Sequence, residues 1–195
     1  RKSTYFFPVR LKLFWAILLV FSYAIVASPS SSYGFLSAAK QNGVVIYAYH
    51  RIDEPEYPST NIQFEQFEAH INQLIDGGFN VISLDDAIHG FVDGADIPEK
   101  AVVITFEGGH ESIIENAVPL LLKHKLPFTV FISVDQADWQ SNQYLDWDQL
   151  NDLTDTGLVS VGIHPATYGR MLDYDNAEAE KQINRAKSRY RKEMG

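Results

Sequence analysis

The stretch AVVITFEGGH, residues 101–110, decides how the rest of the chain is read. Val102, Val103, Ile104 and Thr105 form an unbroken apolar or β-branched run, the pattern of a buried strand. The run gives way to Glu107, two glycines and His110. A buried strand that ends in a carboxylate, a turn and an imidazole is how a parallel sheet delivers polar groups to the top of an α/β fold.

Outward from this strand, strand-like and helix-like segments alternate. Upstream lie GVVIYAYH (residues 43–50), then a helix in QFEQFEAHINQLIDGG, where Phe64, Phe67, Ile71, Leu74 and Ile75 share one face and Gly77–Gly78 close it. FNVISL (79–84) reads as a short strand, and SLDDAIHGF as a short helix capped by Ser83. Downstream, ESIIENAVPLLLKHK is a helix that Pro119 kinks or splits. PFTVFISV (127–134) is the next strand. DWDQLNDLTDTG is a helix with Asp146 at its N-cap, LVSVGIH (158–164) is the fifth strand, and an amphipathic helix closes the chain. This rhythm predicts a parallel sheet flanked by helices, as a barrel or an open sheet. In either case the chemistry belongs at the carboxyl ends of the strands. Three of the five strands end in His50, Glu107 and His164, so these three are expected to gather at one face.

Composition narrows the partners. The chain has 195 residues, no cysteine and a net charge of −9. Disulfides, thiolate metal sites and a cysteine nucleophile are therefore excluded. Four basic residues (Arg1, Lys2, Arg10, Lys12) precede an uncharged apolar run over residues 13–27, which small residues follow. This is the layout of a secretory signal peptide, with a membrane anchor as the second reading, so residues 1–34 are expected to direct export. The remainder carries 12 Lys and Arg against 25 Asp and Glu, a net charge of −13. Such a domain repels nucleic acid and anionic lipid surfaces and suits a neutral or cationic ligand.

The segments IYAYHR, AVVITFEGG, AVPLLLKHKLPFTVFIS, YLDWDQL and GLVSVGIHPATY, taken in this order, resemble the polysaccharide deacetylases, the nodulation-protein-B homology family of carbohydrate esterases. The resemblance runs from about Gly43 to the last residue. It implies a distorted (β/α) barrel over residues 43–195, a divalent metal such as zinc, and removal of N-acetyl or O-acetyl groups from glycans, with hydrolysis of a non-peptide C–N bond the first reading. The family motif T-F-D-D-G stands here as Thr105-Phe106-Glu107-Gly108-Gly109. Glu107 falls at the position of the general base, and Gly108 at that of a metal ligand. The motif H-[S/T]-x-x-H stands as His164-Pro165-Ala166-Thr167-Tyr168, which keeps His164 and replaces the second ligand by Tyr168. One of three expected ligands survives, so metal binding is expected to be weak or absent. The family's later motifs, including a general-acid histidine, would fall past Gly195, and the barrel is accordingly expected to be incomplete.

A rebuilt metal site would draw on Glu107, His110 and His164, with Tyr168 as a weak fourth donor. The competing reading has His110 capping the helix near Glu111 or facing solvent. His50 and Trp139 are the rim candidates for contact with substrate, and Trp147 reads as core. Two functions of different class follow. One is an exported deacetylase-like hydrolase acting on N-acetylated glycans. The other is a relative that binds glycan or cell wall without turnover.

Overall fold

The structure is a computed structural model that describes residues 43–167, 169 and 171–195, all within one unit, Gln41–Gly195. The expected export segment and Tyr168 lie outside the described residues. Five parallel strands build the main sheet: β1 (Val44–Tyr49), β4 (Asn80–Val81), β5 (Ala101–Glu107), β6 (Phe128–Ile132) and β7 (Val159–Ile163). β5 is central. It pairs with β1 from Val44–Ala101 to Tyr49–Phe106, with β4 at Ala101 and Val102, and with β6 from Thr105 to Glu107. β7 pairs with β6. The sheet is open among the described residues, and its parallel α/β arrangement is the expected one.

Among the described residues, six α-helices connect and cover the strands: α1 (Phe64–Asp76), α2 (Leu84–Asp93), α3 (Val118–Lys123), α4 (Val134–Asp138), α5 (Trp147–Thr154) and α6 (Asn176–Met194). Two of the caps are those read from sequence. Ser83 Oγ accepts from Asp86 N at 3.0 Å. Asp146 accepts from Gln149 N at 2.9 Å, while Gln149 Oε1 accepts from Asp146 N at 2.9 Å, a reciprocal capping box. In α1, Phe67, Ile71 and Leu74 are buried, but Ile75 is 39% exposed. It sits about 80° round the helix from Phe67, at the edge of the apolar stripe.

Other segments differ from the sequence expectation. The strand over 79–84 shrinks to two residues, and the strand through Val134 stops at Ile132, with Ser133 leading into α4. Pro119 splits its helix as expected. Ahead of it, Ile113–Ala117 is a π-helical turn in which Val118 N–H reaches Ile113 O. Pro119 itself sits in the first turn of α3, where a residue without an N–H is tolerated. A two-strand parallel pair, β2 (Arg51–Ile52) with β3 (Asn61–Ile62), is an addition. It anchors the chain that follows His50.

Register decides what shares a face. Ala48 is level with Thr105, Thr105 with Thr129, and Thr129 with Ser160. Side chains alternate along a strand, so two residues further on this same face carries Glu107, Phe131 and Gly162, and just past the strand ends His50 and His164. The opposite face of β5 packs under the helices. Phe106 there lies against Tyr49 (5.8 Å between ring centroids), Phe67 (6.0 Å) and Phe128 (5.7 Å). Cutting Phe106 back to Ala would cost about 3–5 kcal/mol. α6 is tied down through Arg185 on Asp135 and Arg189 on Asp138, both partners lying in α4.

Candidate functional site

At the carboxyl end of the sheet, Glu107 Oε2 lies 2.9 Å from His164 Nε2, each side chain about one quarter exposed. Backbone bonds hold both residues in place: Gly108 N donates to Phe131 O, and His164 N to Ile132 O, each at 2.8 Å. The Phe131 ring flanks His164 at 5.9 Å. The loop after His164 is fixed by Ser133, fully buried, whose Oγ donates to Ala166 O at 2.6 Å.

His110 takes a different place. The chain turns through Gly108 (φ +90°) and Gly109 (φ +58°), left-handed conformations that glycine tolerates. His110 then pairs with Tyr144 in an isolated antiparallel bridge, supported by Leu145 N on Gly109 O (2.8 Å) and Glu111 N on Gln143 O (3.1 Å). The His110 side chain is only 7% exposed and therefore does not face solvent. Its Nε2 lies 3.2 Å from Arg51 Nη1. A guanidinium has no acceptor, so Nε2 accepts and the proton of the neutral ring is on Nδ1. Burial first, and then the electrostatic influence of Arg51 and of nearby His50, push the imidazole down from 6.5 to about 4. Arg51 is itself held by Glu54 (Nε to Oε2, 3.2 Å) and stacks on Tyr57, 3.9 Å from the ring centroid.

Parallel topology thus brings His50, Glu107 and His164 to one end of the sheet, and joins Glu107 to His164. His110 is bound to Arg51 instead. Among the described residues no group of three His, Asp or Glu side chains is gathered closely enough to hold a metal. Catalytic zinc takes about three protein ligands, so the described residues do not fit that group. Tyr168 is outside them. Arg51 was not singled out from sequence, although it directly follows His50 in YHR. Its contact with His110 spans 59 residues and leaves no local signal.

The rim is aromatic and acidic. Trp139 is 62% exposed and meets the Tyr144 ring edge-on at 5.8 Å, and Tyr144 lies 5.2 Å from the His110 ring. Trp147 is buried, as expected of core, and its Nε1 donates to Asp138 Oδ1 at 2.7 Å. Beside Arg51 runs a groove of about 240 Å³ lined by Glu54, Tyr57, Glu111, Glu115 and Gln143. Burial raises the Glu111 carboxyl against an opposing hydrogen bond from Gln149.

The model of the polysaccharide deacetylase family matches residues 94–195, a little over half of the chain. The chain belongs to the polysaccharide deacetylase family. Among relatives, a poly-β-1,6-N-acetyl-D-glucosamine N-deacetylase of Staphylococcus aureus is 26% identical over 142 residues, covering 64% of this chain and 49% of that protein. The chain thus spans about half the length of the curated relatives it matches. Among solved structures, IcaB from Ammonifex degensii superposes with a TM-score of 0.69 at 23% identity, over 79% of this chain and 70% of that one. A de-N-acetylase from Aggregatibacter actinomycetemcomitans gives 0.65 at 19% identity, over 77% and 74%. At these identities the likeness to solved structures is one of fold. Among the described residues no helix is long and apolar enough to cross a membrane.

Proposed function

We propose that this chain acts on N-acetylated glycans as a hydrolase of the acetamide C–N bond, at the carboxyl ends of its strands. Family membership supports the substrate class. The observation that carries the reading is the Glu107 carboxylate, held 2.9 Å from His164 Nε2 in a partly open site. In this reading Glu107 takes a proton from water, whose oxygen attacks the acetyl carbonyl carbon. The C–N bond of the tetrahedral adduct then breaks. The departing amine takes the proton that Glu107 received, which regenerates the carboxylate, and acetate and a free amino sugar result. His164, 2.9 Å away, orients the carboxylate. Trp139 offers an exposed ring for a sugar face. No step here passes through a metal, because the described residues do not supply its ligands.

That same lack of ligands favours a second reading, in which the protein binds glycan without turnover. One experiment separates the two. The purified chain is incubated with poly-β-1,6-N-acetylglucosamine and with chitooligosaccharides, and released acetate is measured beside glycan binding. Hydrolysis that Glu107→Gln abolishes supports the first reading. Binding with no acetate released supports the second, and neither binding nor release overturns both. We further propose residues 1–34 as an export segment. Recovery of the uncleaved chain from the soluble cytoplasm of its host would refute export.

A further inference from the structure

Gly108 and His110 are coupled through space. A Cβ built on Gly108 would lie 2.7 Å from His110 Nε2, and 3.3 and 3.4 Å from Cδ2 and Cε1. The ring therefore fills the volume that any side chain on residue 108 needs. It cannot easily move aside, being almost fully buried, backed by Tyr144 and bonded to Arg51 through that same Nε2. Arg51 is braced in turn by Glu54 and Tyr57. The Nε2 lone pair is thus spent on a cation, and a fixed guanidinium opposes the approach of a second cation.

We propose that His110, pinned by Arg51, closes this site to a divalent metal, and that Gly108 and His110 are two halves of one replacement. The proposal rests on the family correspondence that puts residue 108 at a ligand position, and it is independent of whether the chain turns over glycan. It means that restoring a carboxylate at 108 is not enough. Gly108→Asp would meet the imidazole and would also put a side chain at φ +90°. Removing the ring must accompany it.

The test is zinc binding by the full chain, measured by titration calorimetry and by metal analysis after dialysis. The forms compared are wild type, Gly108→Asp, His110→Ala and the Gly108→Asp/His110→Ala double variant, with circular dichroism to confirm folding. Expected is no stoichiometric zinc at micromolar metal for wild type or Gly108→Asp. The double variant should bind about tenfold tighter than Gly108→Asp, or better still. Equal affinities for Gly108→Asp and the folded double variant overturn the proposal, as does stoichiometric zinc on wild type that His110→Ala abolishes. Should the double variant not fold, nitrogen-detected NMR of the wild-type imidazoles decides. Under the proposal, His110 keeps its Nδ1–H form unchanged through a millimolar zinc titration. A zinc-dependent shift of its Nε2 overturns the proposal. Acetate release is not read in this experiment, so a protein without turnover leaves the outcome unaffected.

Discussion

Acidification should destabilise this domain through one buried imidazole. His110 is 7% exposed, and burial, with the electrostatic influence of Arg51 and His50, brings it from 6.5 to about 4. Above the unfolded value the ring is neutral in both states. Between 6.5 and about 4 the unfolded chain takes up a proton that the folded chain refuses, so stability falls as pH falls. Below the folded value this group adds no further loss. At about 1.4 kcal/mol per pH unit, the whole window is worth about 3 kcal/mol, a large share of the roughly 5–15 kcal/mol that holds a domain together. Urea unfolding at about pH 7 and about pH 5, on wild type and on His110→Asn, reads the effect. Asn keeps an acceptor for Arg51 but does not titrate in this range. Wild type should lose about 2 kcal/mol more than the variant between the two conditions, because about 1.5 pH units of the window have then been crossed. Carboxylates that titrate nearby affect both proteins and drop out of the difference. Equal losses in the two proteins would refute the reasoning, since they would mean that His110 protonates in the folded state and swings clear of Arg51.

Three further outcomes are expected. Trp139→Ala should leave the melting temperature unchanged, its ring being largely exposed, while weakening glycan binding by about 1 kcal/mol in a titration; unaltered affinity would remove Trp139 from the rim. Ser133→Ala should cost about 0.5–1.5 kcal/mol in chemical unfolding, because the Ala166 carbonyl loses its hydroxyl donor but keeps the Asp135 N–H. Asp138 is held below the usual carboxylate range, first by its hydrogen bond from Arg189 and also by that from Trp147. Its stabilising share is present at neutral pH and lost as pH falls through its folded pKa, so Asp138→Asn should melt lower than wild type at neutral pH, with the gap closing in strong acid.

Much of the frame was legible in the sequence, because it is written in short-range patterns. The run from Val102 to Thr105 is central and buried, and Ser83 and Asp146 cap the helices they precede. The approach of Glu107 to His164 was foreseeable as a region, since parallel strands deliver their ends to one side, though their 2.9 Å separation was not. What escaped lies in contacts without a local signature. The β2–β3 pair is two residues long and has no periodicity to detect. The π-turn before Pro119 adjusts the backbone to a residue that the sequence marks only as a break. The bond from Arg51 to His110 and the packing of that ring over Gly108 depend on the positive φ of two successive glycines, which re-aims the chain after β5.

The two tryptophans near α4 have a spectroscopic consequence. Trp139 stands in water beside Tyr144, whereas Trp147 is buried, with its indole N–H on Asp138 and the Arg189 guanidinium 5.5 Å from its ring. Their emission should therefore separate, red-shifted and readily quenched by acrylamide for Trp139, blue-shifted and shielded for Trp147. A sugar ring settling on the rim would change the first band alone, while unfolding of α5 from α4 and α6 would move the second. With Trp15 replaced by Phe, so that only these two indoles emit, ligand occupancy and global unfolding could be followed in the same cuvette without an added label.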